Sequence, residues 1–237
     1  ETPDVQFQLT ESIYGITRAA DAFDIPIVSG NASLYNESLG SAIFPTPIIG
    51  SLGLLEDAEK HSTIGFKSQG DIIALLGTES CWDEIRDLAA SEYLELMHDK
   101  VEGQPRLDLD LEVRTQQVCR EAIKTGLVAS AHDVSDGGIS VAIAECSIIG
   151  GIGAVITKAL PKRWDAGLFG ESQSRILLSL PAQKLNQLES IALSHNVPMT
   201  TIGLVEGDNL TFGDLFSIPL TVASDAWQNG FNVATLE

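Results

Sequence analysis

The sequence predicts an α+β fold, and two observations carry that class. Short apolar runs at 25–28, 48–55, 72–76, 127–131, 154–156, 175–180 and 199–206 read as strands, several of them adjacent along the chain. Between them, apolar residues recur at helical spacing over 6–23, 112–124, 138–149 and 184–195, with 83–96 reading as one helix or two short ones. Irregular mixing of this kind favours α+β over the strict alternation of a doubly wound parallel sheet. At 237 residues, the length fits one large domain or one and a half, enough to bury a core without disulfides or metals.

In the first helix Leu9, Ile13, Ile16 and Ala20 share one face and polar residues fill the rest. The run Ile25-Pro26-Ile27-Val28 ends at Ser29-Gly30, as a buried strand would. Residues 31–42 are polar and turn-rich, a loop. Pro45 and Pro47 flank the start of the second apolar strand, 48–55, and 56–70 is a polar connection with a domain boundary near its end. A new unit starts at Asp71, whose strand is closed by Gly77. Residues 105–110 form a linker. The helix at 112–124 is amphipathic, and Gly126 stands where a helix-ending glycine belongs. The most apolar stretch, 139–156, is interrupted by Ser140, Glu145, Ser147, Gly150, Gly151 and Gly153. It therefore reads as a buried helix, a turn and a strand rather than a membrane span. Gly207-Asp208-Asn209 reads as a turn. No repeat or low-complexity tract is present.

Against 14 basic residues stand 33 acidic ones, a net charge of −19, which argues against nucleic acid and anionic membranes as partners. Cys81, Cys119 and Cys146 form no CxxC pair and no metal spacing, which fits a reducing cytosol and buried structural thiols. Sequons at Asn31, Asn36 and Asn209 have nothing else that points to secretion. The chain starts at Glu1 and runs almost directly into a helix, an opening that reads as cut from something longer. Zinc spacing, a nucleophile elbow, GxGxxG and a P-loop are all missing.

Three polar constellations remain. Ser29-Gly30-Asn31-Ala32-Ser33-Leu34-Tyr35-Asn36-Glu37 follows a strand, with a glycine that permits close backbone approach and an amide oxygen suited to hydrated Mg²⁺; it is equally an ordinary polar turn. Ala131-His132-Asp133-Val134-Ser135-Asp136-Gly137-Gly138 precedes an apolar helix. Its glycines leave N–H donors at the helix start, a place for an anion, while Ser135 or Asp136 can cap it. His132 and the two aspartates can also position a proton or Mg²⁺. The plain alternative is a capped turn with a histidine satisfied by backbone. Phe169-Gly170-Glu171-Ser172-Gln173-Ser174-Arg175 opens a strand. It can hydrogen-bond a sugar or amide, or be an edge loop with a Glu–Arg surface pair. His61, His98 and His195 read as surface residues without partners.

Taken together, these segments resemble formylglycinamide ribonucleotide amidotransferase (the phosphoribosylformylglycinamidine synthases). The residues 24–37 with Pro45-Thr46-Pro47-Ile48-Ile49-Gly50 are similar to that family's third quarter. Ser91-Glu92-Tyr93-Leu94, His132 to Gly138 and Leu168-Phe169-Gly170-Glu171-Ser172 are similar to its last quarter. The resemblance implies an aminoimidazole ribonucleotide synthase-like C-terminal domain, a second B domain over 71–237, preceded by the tail of a second A domain over 1–68. It implies a cytoplasmic ligase of purine biosynthesis that uses ATP, Mg²⁺ and glutamine-derived ammonia to convert formylglycinamide ribonucleotide to formylglycinamidine ribonucleotide. Implied partners are the rest of the synthetase, a glutaminase subunit or domain and a small bridging subunit. By the same resemblance Gly30 contacts ATP, Asn31 binds Mg²⁺ and Ser33 contacts the ribonucleotide. Asp136, Gly137, Gly138, Glu171, Ser172 and Gln173 would line a pseudosymmetric, non-catalytic site. The catalytic histidine would lie elsewhere, leaving this chain inactive alone. Two departures stand out: Ala90 where the family commonly has glycine, and Glu206-Gly207 where it often has two glycines. Competing readings are a non-catalytic assembly module and another superfamily enzyme, such as thiamine-monophosphate kinase or selenophosphate synthetase. The apolar runs 25–28 and 48–55 would be buried on both faces in the parent, so their unpaired edges here would drive self-association.

Overall fold

Apolar residues at every position of a strand require a cover on both faces of the sheet. The strand β3 (Ile72–Gly77) meets that requirement: all six of its residues are buried, in the interior of a seven-stranded sheet. The computed structural model describes residues 3–33, 37–78, 85–160 and 162–236. Leu34, Tyr35, Asn36 and Cys81, and the first residues of the helix expected from 83, lie outside them. The chain divides into two compact units, Glu1–Glu56 and Asp57–Glu237.

In the first unit α1 (Pro3–Phe23) is the main element. It stops at Asp24, whose φ of 53° turns the chain left-handed, and the Ile25 N–H donates back to the Ala20 carbonyl at 2.9 Å. Leu9, Ile16 and Ala20 of the expected face are half-buried, but Ile13 is exposed. A short hairpin follows, β1 (Glu37–Ser38) and β2 (Ser41–Ala42), turning through Leu39 and Gly40, both at positive φ. Two expectations fail here. The runs 25–28 and 48–55 form no strand: a strand needs a neighbour for its N–H and C=O groups, and no described segment of this unit pairs with either run. Their side chains face outward instead: Val28 is 90% exposed, Ile48 93% and Leu52 101%.

The second unit is three-layered. Its sheet runs in the order β4 (Ser130–Asp133), β6 (Arg175–Leu180), β3, β7 (Met199–Val205), β5 (Ala154–Ile156), β8 (Asn209–Phe212) and β9 (Phe216–Pro219). Neighbours are antiparallel except β5 and β8. The two-residue period of β3 sorts the core. Ile72, Ala74 and Leu76 pack with Val118 and Ala122 of α3 (Leu109–Lys124) and Leu188 and Ala192 of α6 (Leu185–Ser194). Ile73 and Leu75 pack with Ile139, Ile143 and Cys146 of α4 (Gly138–Gly150), Leu168 of α5 (Trp164–Phe169) and Ala223 of α7 (Leu220–Leu236). The stretch 139–156 is thus a helix, a turn and a strand, as its interruptions imply. Among the described residues no helix is long and apolar enough to cross a membrane.

Strand β4 begins three residues later than expected. Leu127 instead ends α3: its N–H donates to the Ala122 carbonyl while Gly126, at φ 69°, donates to Ile123. Residues 57–70 belong with this unit, since Thr63 bridges to Ser130 and the Phe66 N–H donates to the Cys146 carbonyl at 3.0 Å. Cys119 and Cys146 are buried, and desolvation pushes their thiols up to about 11 and about 12. The elements β8, β9, α5 and α7 had no sequence reading beyond a turn at 207–209.

Candidate functional site

Gly30, Asn31 and Ser33 lie in the first unit, on exposed backbone without regular structure. A side chain added at Gly30 would meet nothing within 4 Å. The three residues present a backbone open to close approach, an amide and a hydroxyl. These oxygen donors are of the kind Mg²⁺ accepts when phosphate and water complete its shell.

The other six expected residues are drawn together in the second unit. α4 starts at Gly138 with Gly137 as its cap residue at φ 76°, and no side chain caps it, so neither Ser135 nor Asp136 plays that part. Glu171 does something the sequence did not announce. Its Oε1 accepts from the Gly137 N–H at 2.8 Å and from the Glu92 N–H at 2.9 Å. Glu92 is the first residue of α2 (Glu92–His98), whose own cap is the Ser91 hydroxyl, accepting from the Leu94 N–H. Ser172 Oγ donates to Asp87 Oδ1 at 2.6 Å, the Glu171 N–H donates to the Asp87 carbonyl, and Gln173 Nε2 donates to the Glu171 carbonyl. The segment holding Glu171 is thus stitched to the turn at 85–91, and Tyr93 stacks on Phe169 with centroids 4.9 Å apart.

The Glu–Arg surface pair is a misreading. Arg175 is 2% exposed and donates from Nε to the Ser172 carbonyl at 2.9 Å and from Nη2 to the Gly170 carbonyl at 2.6 Å. Nothing about the spacing distinguishes a buried arginine of this kind from a solvated one. The histidines also differ from expectation. His132 is held by Glu145 at 2.9 Å and Asp133 at 3.2 Å rather than by backbone. His195 meets Glu121 at 3.1 Å, His61 lies 2.7 Å from the Ala58 carbonyl, and His98 packs edge-on against Tyr93.

Two adjoining cavities, of about 560 and 330 Å³, share Glu171, Gln173 and Ser174 in their walls. The larger is lined by Asp136, Asp133 and by Glu112 and Gln116 of α3, which the sequence had not singled out. Among the described residues, Arg175 is the cationic side chain in its lining, and its Nε and Nη2 already donate to carbonyls. The smaller sets Arg86 and Arg106 against Asp87, Asp108 and Glu171. Four carboxylates around the larger cavity make it a poor seat for a bare phosphate. Among the described residues no group of three or more His, Cys, Asp or Glu is placed to hold a metal ion.

Residues 68–214 match the family described as AIR synthase related protein, C-terminal domain. The chain is 40% identical over 233 residues to the phosphoribosylformylglycinamidine synthase subunit PurL of Caldanaerobacter subterraneus subsp. tengcongensis, and 41% identical over 241 residues to that of an Anaeromyxobacter species. These alignments take in 96% and 97% of this chain but 31% of each relative, so the chain spans about a third of their length. Among solved structures, T. maritima PurL complexed with FGAR matches with a TM-score of 0.58 at 21% identity, covering 70% of this chain and 30% of that one. The PurLQS structure from Thermotoga maritima matches at 0.55 and 19%, covering 70% and 28%. At those identities the likeness concerns the fold.

Proposed function

The chain belongs to the AIR synthase related protein family through its C-terminal domain, and on that premise we propose that it is one part of a longer phosphoribosylformylglycinamidine synthase. The single observation that carries this reading is the 40% identity to the PurL subunit over 96% of the chain. The parent would join ammonia to formylglycinamide ribonucleotide at the expense of ATP, in the cytoplasm, with glutaminase and small bridging subunits as partners. The first unit would close a second A domain, and the second, which takes in residues 57–70, would form a second B domain.

Within that reading the chain's two units do different work. Gly30 leaves room for a nucleotide phosphate, Asn31 supplies an oxygen to Mg²⁺, and the Ser33 hydroxyl orients the ribonucleotide. Bound Mg²⁺ would neutralise charge on the transferring phosphoryl group. The larger cavity of the second unit, walled by four carboxylates, fits no such phosphate role, and the sheet around it serves as scaffold. The chain alone therefore makes no product, since the group that moves the proton must come from residues outside it.

A chimera tests the assignment. This chain replaces the matching third of the Caldanaerobacter subunit, and formylglycinamidine ribonucleotide is measured with ATP, Mg²⁺ and ammonium. Product at a rate within about tenfold of the parent is expected, with Asn31→Ala raising the Mg²⁺ needed for half-maximal rate. A folded chimera that makes no product, or an Asn31→Ala chimera with unchanged Mg²⁺ dependence, overturns the functional or the residue assignment respectively.

A further inference from the structure

Helix α4 begins with two glycines at positive φ; the Gly138 N–H donates to the Ser135 carbonyl at 3.0 Å, which leaves the Gly137 N–H as the amide an anion from outside would ordinarily meet. That place is already taken. The Glu171 carboxylate oxygen that accepts from Gly137 also accepts from Glu92, so one charged atom ties the starts of two helices 45 residues apart in sequence. The tie is fixed from behind. The Glu171 N–H is held by the Asp87 carbonyl at 2.9 Å, and Gly170 packs so closely that an added Cβ would lie 2.9 Å from the Asp87 Cβ. Gly138 is equally confined, since a Cβ there would lie 2.6 Å from the Gly170 carbonyl oxygen. The segment at 170–171 and the helix start therefore cannot drift apart without breaking backbone contacts.

We propose that Glu171 is a specificity-determining residue: its side chain acts as a built-in anion at the α4 start, keeping free phosphate out of the larger cavity and setting the position of its Asp136 wall. The surroundings agree. Glu112, Asp133 and Asp136 line the same cavity as Glu171, so an incoming phosphate would meet like charges before reaching the Gly137 N–H that Glu171 occupies. The ligand class left to this cavity is neutral or cationic and polar. The inference is independent of the reaction assigned to the parent protein, because it concerns contacts wholly within the second unit.

The test uses the full 237-residue chain, wild type and two variants, in metal-free buffer with inorganic phosphate as probe. Backbone amide signals of Gly137, Gly138 and Glu92 are followed by nuclear magnetic resonance. In the wild type millimolar phosphate should leave all three unmoved. In Glu171→Ala the exchange protection of Gly137 and Glu92 should fall together, by about tenfold or more, as expected for loss of a charged acceptor. Saturable phosphate shifts should then appear at Gly137 and Gly138. Glu171→Gln keeps the shape and removes the charge, so it covers the case in which the alanine variant does not fold; the Gly137 and Glu92 signals should move together in it. Phosphate shifts of equal size in wild type and Glu171→Ala, no phosphate shifts in a folded Glu171→Ala, or a Gln variant that moves only one of the two amides would each overturn the proposal.

Discussion

Ala90 shows how a single residue can stand against its backbone. It sits at φ 54°, in the left-handed region, and its N–H donates to the Glu102 carbonyl at 2.8 Å. A Cβ in that region costs about 1–2 kcal/mol, which explains why glycine suits the position. Ala90→Gly should stabilise the protein by roughly 1 kcal/mol after the glycine's extra unfolded-state freedom is subtracted, raising the melting midpoint by about 2–4 °C by calorimetry. A lower midpoint would show that the alanine is not strained. Two aspartates give opposite pH signatures. Asp71 is 5% exposed, and burial raises its pKa above 3.8, with Lys184 opposing. Its charge therefore weakens the fold above the raised pKa, and the penalty is relieved as pH falls toward 3.8. Asp165 accepts two hydrogen bonds from Arg163, at 2.9 and 2.6 Å, which hold its carboxyl below 3.8. That stabilisation is present above 3.8 and lost as pH falls through the lowered value. Denaturant midpoints at pH 7 should thus rise for Asp71→Asn and fall for Asp165→Asn, both differences shrinking in acid. The same sign for both variants would refute the burial argument.

At the scale of elements, the sequence was most legible where a run is both apolar and bounded. Strand β6 falls on the expected residues, and α4 on the expected residues plus one. Periodicity reports burial, however, and not hydrogen-bonded partners. The runs 25–28 and 48–55 carry the apolar content of strands but find no neighbour, so content alone misled. Leu127 is buried like a strand residue yet serves as a helix stop. In the candidate site the residue names were legible and their roles were not. The spacing of Glu171 and Gly137, 34 residues apart, cannot say that one would fill the other's anion position. Gly138 tests the packing directly. Alanine there would combine a φ of 70° with a Cβ 2.6 Å from the Gly170 carbonyl oxygen. Gly138→Ala should cost about 2–4 kcal/mol in chemical denaturation. A loss under about 0.5 kcal/mol, within the range of an ordinary surface change, would mean that the two segments are not locked.

The molecule as a whole divides its labour between its units. The second carries two apolar layers on one sheet, enough core to fold by itself. The first buries no residue of α1 and leaves Val28, Ile48 and Leu52 in solvent. Such surface favours association. Light scattering should find the full chain larger than a monomer and residues 57–237 monomeric; a monodisperse monomer of the full chain would contradict the exposed-surface argument. On the proposed reading the chemical contacts belong to the loop at 30–33 in the first unit, and the sheet of the second unit is scaffold. The measurement that bears on it most directly is formation of formylglycinamidine ribonucleotide by the purified 237-residue chain, supplied with formylglycinamide ribonucleotide, ATP, Mg²⁺ and ammonium. The expected result is no product above the protein-free background, because on the proposed reading the loop would supply ligand contacts and the group that moves the proton would come from elsewhere in the parent. Sustained turnover by this chain alone would contradict the account.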